Sequence, residues 1–157
     1  MVILTEEDRK NIREVWSLVY QDPEGNGAVV VMRLFTDHPE TKSYFKNFKN
    51  IETKEEMESN PRIKLHGMRV MEALNQVIVN MDNWDAVTTI FTPLAEKHRD
   101  VYQIHLHNYK LLFGVIIKVF KEALGTAFTD AACDSWNKVF QLLYDFMESS
   151  YEGAEDS

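Results

Sequence analysis

Apolar residues recur along the chain at three- and four-residue steps, which is the spacing of one face of an α-helix. Thr5 resembles a helix-capping residue, and an apolar stripe follows it between residues 12 and 20. Pro23 suits the first turn of a second helix, which must end near His38 because a residue before proline avoids the helical region. A short turn is then expected through Tyr44, Phe45 and Phe48.

Two proline pairs carry the pattern of a helix start, in which a capping residue precedes a proline at the first helical position. They are Asn60-Pro61 and Thr92-Pro93. Residues 105–124 are expected to form a strongly apolar helix that Gly125 would end, and Thr129-Asp130 opens a last long helix. The apolar positions expected after Asn60-Pro61 are Leu65, Val70, Ala73, Leu74, Val77, Ile78 and Met81.

These stretches predict an all-α fold of seven or eight helices in one domain, residues 1–157. The composition agrees, because 157 residues with only 6 Gly and 4 Pro favour long helices over many short strands and turns. Residues 87–91 are ambiguous between helix and strand. The folded core should cover about residues 4–151, followed by a frayed, acidic C-terminal tail.

Net charge and cysteine content argue against several classes of protein. A net charge of −8 disfavours non-specific binding to nucleic acid or to an anionic membrane. The longest apolar stretch, residues 111–120, is interrupted by Lys118 and is too short to cross a bilayer. The single cysteine, Cys133, cannot form an intramolecular disulfide, and no cation adjoins it to activate the thiol. We expect a cytoplasmic protein without nucleic-acid or membrane partners.

Two of the five histidines stand out, because no phosphate loop, nucleophile elbow or metalloprotease motif is found in the sequence. His66 shares a helix face with Val70, and His98 shares one with Leu94. Two antiparallel helices could bring these imidazoles face to face. On pattern alone, two core or surface histidines without a cofactor are favoured.

Three segments resemble the globin family, and within it the vertebrate cytoglobin-like group that includes eye globin and globin Y. Residues 36–48 resemble the corner between the second and third globin helices. Leu65-His66-Gly67-Met68-Arg69-Val70 resembles the distal-histidine segment, and Pro93-Leu94-Ala95-Glu96-Lys97-His98 is similar to the proximal-histidine segment. The likeness covers about residues 4–151, and the separation of the two histidines matches cytoglobin rather than myoglobin.

The resemblance implies a haem site. His98 would be the proximal iron ligand, with its ring held by the carbonyl of Leu94. His66 would be the distal histidine, which binds the iron itself or donates a hydrogen bond to a bound gas. Arg69 could pair with a haem propionate, and a solvated helix charge is an equal alternative. The pocket would be lined by Phe45, Phe48, Val31, Val70, Leu94, Ile104, Tyr109, Leu112 and Leu143. Because no Cys-x-x-Cys-His motif exists, the cofactor would be haem b, held non-covalently.

Three features qualify the resemblance. The cysteine pair of cytoglobin falls here at Pro23 and Met68, so control by that disulfide cannot operate. Val31 stands where leucine or phenylalanine is frequent, which should leave more room on the distal side. Gly27 and Gly67 would let two helices cross at close range, a structural role.

Three functions follow as hypotheses. The first is a haem protein, monomer or weak homodimer, that reversibly binds dioxygen, carbon monoxide and nitric oxide for storage, transport or sensing. The second is an enzyme, a nitric oxide dioxygenase or nitrite reductase that uses the same haem together with a reductase. The third is a haem-free helical module that recognises a protein partner. The resemblance favours the first, with His66 bound to the iron in the absence of gas.

Overall fold

The computed structural model describes residues 3–45 and 51–155. Over these ranges the chain forms seven α-helices, two short 3-10 helices and no strand, so the all-α prediction is confirmed. The 3-10 helices cover Pro39–Tyr44 and Gly125–Ala127. The α-helices are α1 (Glu6–Val19), α2 (Pro23–Asp37), α3 (Lys54–Ser59), α4 (Pro61–Asn80), α5 (Trp84–Asp100), α6 (His107–Leu124) and α7 (Asp130–Glu155).

Most helix ends lie where the sequence predicts them. Thr5 caps α1 through a reciprocal pair, in which its hydroxyl accepts from the N–H of Asp8 and its own N–H donates to the Asp8 carboxylate. Pro23 is the first residue of α2, and the side chain of Asn60 caps α4. Gly125 ends α6 with φ +54°, a left-handed value that glycine adopts without a steric penalty.

The predicted helix start at Thr92-Pro93 is wrong. Helix α5 begins at Trp84 and continues through Pro93, so residues 87–91 are helical as well. The buried residues Val87, Phe91 and Ala95 follow one another at four-residue steps on either side of the proline. Their burial holds the helix together across the missing N–H, because packing of an apolar face outweighs local propensity.

Helix α2 crosses α4 at two glycines. A Cβ atom on Gly27 would overlap the backbone of Gly67, and one on Gly67 would overlap the backbone of Gly27. This confirms the close crossing that the sequence predicts. The face of α4 that turns inward therefore runs through Ile63, Gly67 and Met71, while Leu65, expected on the apolar face, is 51% exposed because it lies two residues from that line.

The buried residues fall into two clusters. The main core joins α1, α6 and α7 and contains Trp16, Phe120 and Trp136. A second cluster lies under the corner after α2, against which Phe45 packs; its members are Val31, Phe35, Ile51, Met57 and Ile63. Among the described helices, none combines the length and apolar character needed to cross a membrane.

Candidate functional site

His98 lies in the last turn of α5, where its ring is held by the backbone one turn earlier. Its Nδ1 is 2.8 Å from the carbonyl oxygen of Leu94. Because a carbonyl only accepts hydrogen bonds, Nδ1 must carry the proton, and the unshared electron pair is left on Nε2. Burial lowers the pKa of His98 and the nearby Lys97 charge lowers it too, although the bond to Leu94 acts in the opposite direction. The neutral ring is thus a nitrogen donor with a fixed orientation.

His66 lies on α4 and is half-buried. Burial lowers its pKa to about 4, and the positive charges of a protonated His98 and of Arg69 act in the same direction. The imidazole is therefore neutral at pH 7. Within residues 3–45 and 51–155, neither of its ring nitrogens has a hydrogen-bond partner.

The charge of a protonated His98 contributes to the lowered pKa of His66, although the two residues lie on different helices. In the described part of the chain, no three His, Cys, Asp or Glu side chains lie close enough to hold a metal ion by themselves. Two neutral imidazoles without a carboxylate suit a metal that already sits in a macrocycle and needs only axial nitrogen ligands. This donor set fits haem iron.

Aromatic rings surround both histidines. The ring of Phe45 lies edge-on to that of His66, with centroids 4.7 Å apart, and Phe35 lies 5.5 Å from Phe45. The ring centroid of His98 lies 5.3 Å from that of Tyr102 and 6.1 Å from that of Tyr109. These aromatic contacts accompany the burial that lowers the pKa of each imidazole.

The remaining pocket residues named from the sequence are placed as follows. Tyr109 and Leu143 are buried, and Ile104 is half-buried in the loop after α5. Arg69 is exposed one turn beyond His66, and Phe48 lies outside the described residues. Val31 is buried in the second cluster rather than in the main core. The residues half-buried against the main core are Val70, Leu94 and Leu112.

Two tyrosines, one beside His98 and one bonded to Tyr109, were missed from the sequence. Tyr102 follows His98 by four residues, a spacing that could have suggested the contact, although α5 ends between them. Tyr151 continues the face of α7 that carries Leu143 and Met147 at four-residue steps, and its hydroxyl reaches that of Tyr109. Both residues lie outside the two histidine segments.

Two surface cavities lie elsewhere on the described chain. One, of about 470 Å³, is lined by residues of α3 and the start of α4. The other, of about 500 Å³, lies against Ile104, His105 and Tyr151. Neither His66 nor His98 lines either of these two cavities.

Comparison with known proteins decides the family. The globin family profile matches residues 30–147. The chain belongs to the globin family. It is 36% identical to cytoglobin-1 of Danio rerio over 149 residues, which cover 94% of this chain and 86% of that protein. It is 32% identical to cytoglobin-1 of Oryzias latipes, over 95% of this chain and 84% of the relative. The protein is thus a cytoglobin-like globin.

Membership of the family supplies the general function. As a globin, the protein binds haem and, through it, gases such as dioxygen. The two neutral imidazoles on α4 and α5 lie in the segments that resemble the distal and proximal histidine segments of the family.

Proposed function

We propose that this globin reversibly binds dioxygen, carbon monoxide and nitric oxide at a haem b. The haem would lie between His98 and His66 and would be held non-covalently. The observation that carries the proposal is the hydrogen bond from Nδ1 of His98 to Leu94, which leaves Nε2 as the electron-pair donor. When bound, the haem supplies an iron atom that forms a reversible bond with a diatomic gas. Storage, transport or sensing of such a gas is the role that we propose.

His98 would be the proximal ligand. The hydrogen bond to the Leu94 carbonyl fixes the tautomer and the orientation of its ring, and increases the basicity of Nε2. Tyr109 on α6 and Ile104 in the loop before it would limit the movement of His98. The protein would then offer Nε2 of His98 to the iron in a single orientation.

His66 would act on the distal side. Its neutral imidazole has one N–H to donate to a bound gas and one unprotonated nitrogen that can bind the iron in the absence of gas. Phe45, in edge-on contact with His66, would pack against the porphyrin and exclude water. Phe48, Val70, Leu112 and Leu143 would complete the apolar pocket, with Val31 behind them.

Arg69 would contact the edge of the haem. Its exposed position, three residues after His66 on the same helix, suits a propionate that reaches into solvent. The pair would be screened by water and would contribute little to haem affinity.

Titration of the haem-free chain with haem tests the proposal. We expect an end point of one haem per chain, release of the pigment by acid-acetone, and a carbon monoxide complex after reduction. The His107→Leu variant, which removes an exposed histidine, should bind haem equally well. Failure to take up haem, or colour that stays with the precipitated polypeptide, would contradict the proposal.

A further inference from the structure

His98 and three other residues, Tyr109, Tyr151 and Ile104, form a closed circuit of contacts. The ring of Tyr109 packs against that of His98, and the Tyr109 hydroxyl lies 3.3 Å from that of Tyr151. The Tyr151 hydroxyl donates to the carbonyl of Ile104 at 2.8 Å, and the N–H of Ile104 donates to the carbonyl of His98 at 2.9 Å. The circuit begins and ends on His98, and it includes α6, α7 and the loop after α5.

The direction of the tyrosine–tyrosine bond follows from the donors available. Tyr151 has a single hydroxyl proton, which it gives to Ile104, so the bond between the two hydroxyls must be donated by Tyr109. Burial raises the pKa of both phenols, and both remain protonated at pH 7. The hydroxyls therefore form a one-way chain of donors that ends on the Ile104 carbonyl.

We propose that Tyr109 is a positioning residue for the proximal histidine, and that its hydrogen bond to Tyr151 makes the C-terminal helix part of the support of His98. This inference rests on the proposed function, because it concerns the ligand that His98 would provide to haem iron. Tyr109 acts through His98 and the loop. With the circuit closed, α6 and the loop cannot move away from α5 without breaking a hydrogen bond.

Loss of the Tyr109 hydroxyl should loosen that support. The Tyr109→Phe variant keeps the ring beside His98 but leaves the Tyr151 hydroxyl without its donor. Tyr151 keeps its bond to the Ile104 carbonyl but is no longer tied to α6, so the loop should gain freedom and the bond between His98 and Leu94 should become weaker and more variable. Because that bond increases the basicity of Nε2, the bond from His98 to iron should weaken as well.

Resonance Raman spectroscopy of the iron–histidine stretch tests the proposal. The measurement uses haem-loaded, ferrous, gas-free protein that also carries His66→Leu, so that only the proximal side provides a histidine ligand. We expect Tyr109→Phe to move the band to lower wavenumber and to broaden it, and Tyr151→Phe to do the same. The two changes together should shift the band no further than either alone, because they open the same circuit.

Tyr144→Phe is the matched control, since it removes a phenol hydroxyl from α7 whose ring contacts Lys110 and not the circuit. It should leave the band unchanged, whatever its effect on the unfolding temperature. An unshifted band in Tyr109→Phe would overturn the positioning role while leaving haem binding intact. The absence of any iron–histidine band in the His66→Leu parent would overturn the assignment of His98, and the inference with it.

Discussion

The backbones of Gly27 and Gly67 are in direct contact where α2 crosses α4. Gly67 follows His66 in the chain, so the crossing would also limit the position of the proposed distal histidine. Helices can approach this closely only where neither carries a side chain at the point of contact.

Replacement of Gly67 by alanine should therefore destabilise the protein. The added methyl group would overlap the Gly27 backbone, and we expect the free energy of unfolding to fall by about 1–3 kcal/mol. Gly114→Ala is the control, because a Cβ atom there meets nothing within 4 Å on the exposed face of α6; it should stabilise by about 0.5–1 kcal/mol. Urea unfolding of both variants measures the difference, and a Gly67→Ala variant as stable as the parent would refute the close crossing.

Asp8 connects the start of α1 to α7. Burial alone would raise the pKa of its carboxyl group, but hydrogen bonds from the Thr5 N–H, the Lys138 ammonium and the Ser135 hydroxyl outweigh it and hold the pKa well below the usual range. A carboxylate with a lowered pKa stabilises the fold fully above its ordinary pKa of 3.8, and this contribution declines as the pH falls below that value.

The Asp8→Asn variant should accordingly lose about 2 kcal/mol of stability at pH 7. The difference from the parent should narrow as the pH is lowered from about 5 to about 3, as measured by urea unfolding at each pH. Asp134→Asn, at an exposed position on α7, should change stability little at any pH. A loss in Asp8→Asn that stays constant over that pH range would mean that the carboxylate charge is not what stabilises the fold.

His66 should bind the iron when no gas is present. Its neutral, half-buried imidazole lacks a hydrogen-bond partner among the described residues, and the small side chain of Val31 would leave room for it to reach the iron. The gas-free ferrous protein should then be low-spin, with resolved visible bands. Competition from His66 would reduce the apparent gas affinity in proportion to the fraction of vacant sites.

The His66→Leu variant should become high-spin and should bind carbon monoxide faster, as flash photolysis would measure. His38→Leu removes a histidine from the turn after α2 and should keep the low-spin spectrum. A parent protein whose gas-free ferrous spectrum already shows one broad, five-coordinate band would leave His66 only as a hydrogen-bond donor to the gas.

Local signals in the sequence predicted much of the fold. The capping pair at Thr5 and Asp8, the proline at position 23 and Gly125 all act within a few residues, so each can be identified without the rest of the chain. The helix start predicted at Pro93 is wrong because α5 is kept continuous by the burial of Val87, Phe91 and Ala95. That burial depends on what those residues contact in the folded protein.

The candidate site was predictable only in part. His66 and His98 stand in recognisable segments, and the carbonyl partner of His98 follows from helical spacing. The hydrogen bond between Tyr109 and Tyr151 joins residues that are 42 positions apart in the chain. The spacing of apolar residues within either helix does not reveal this bond. Contacts of this kind are set by how helices pack, which is why they became visible only in the structure.

The ferric absorption spectrum of the His98→Ala variant, recorded before and after addition of free imidazole, tests the central assignment most directly. Without the proximal imidazole, the apolar pocket alone should hold haem less firmly, and the spectrum should differ from that of the parent. Free imidazole should enter the space left by the side chain and restore part of the parent spectrum. A variant that keeps the parent spectrum without imidazole would show that His98 does not bind the iron.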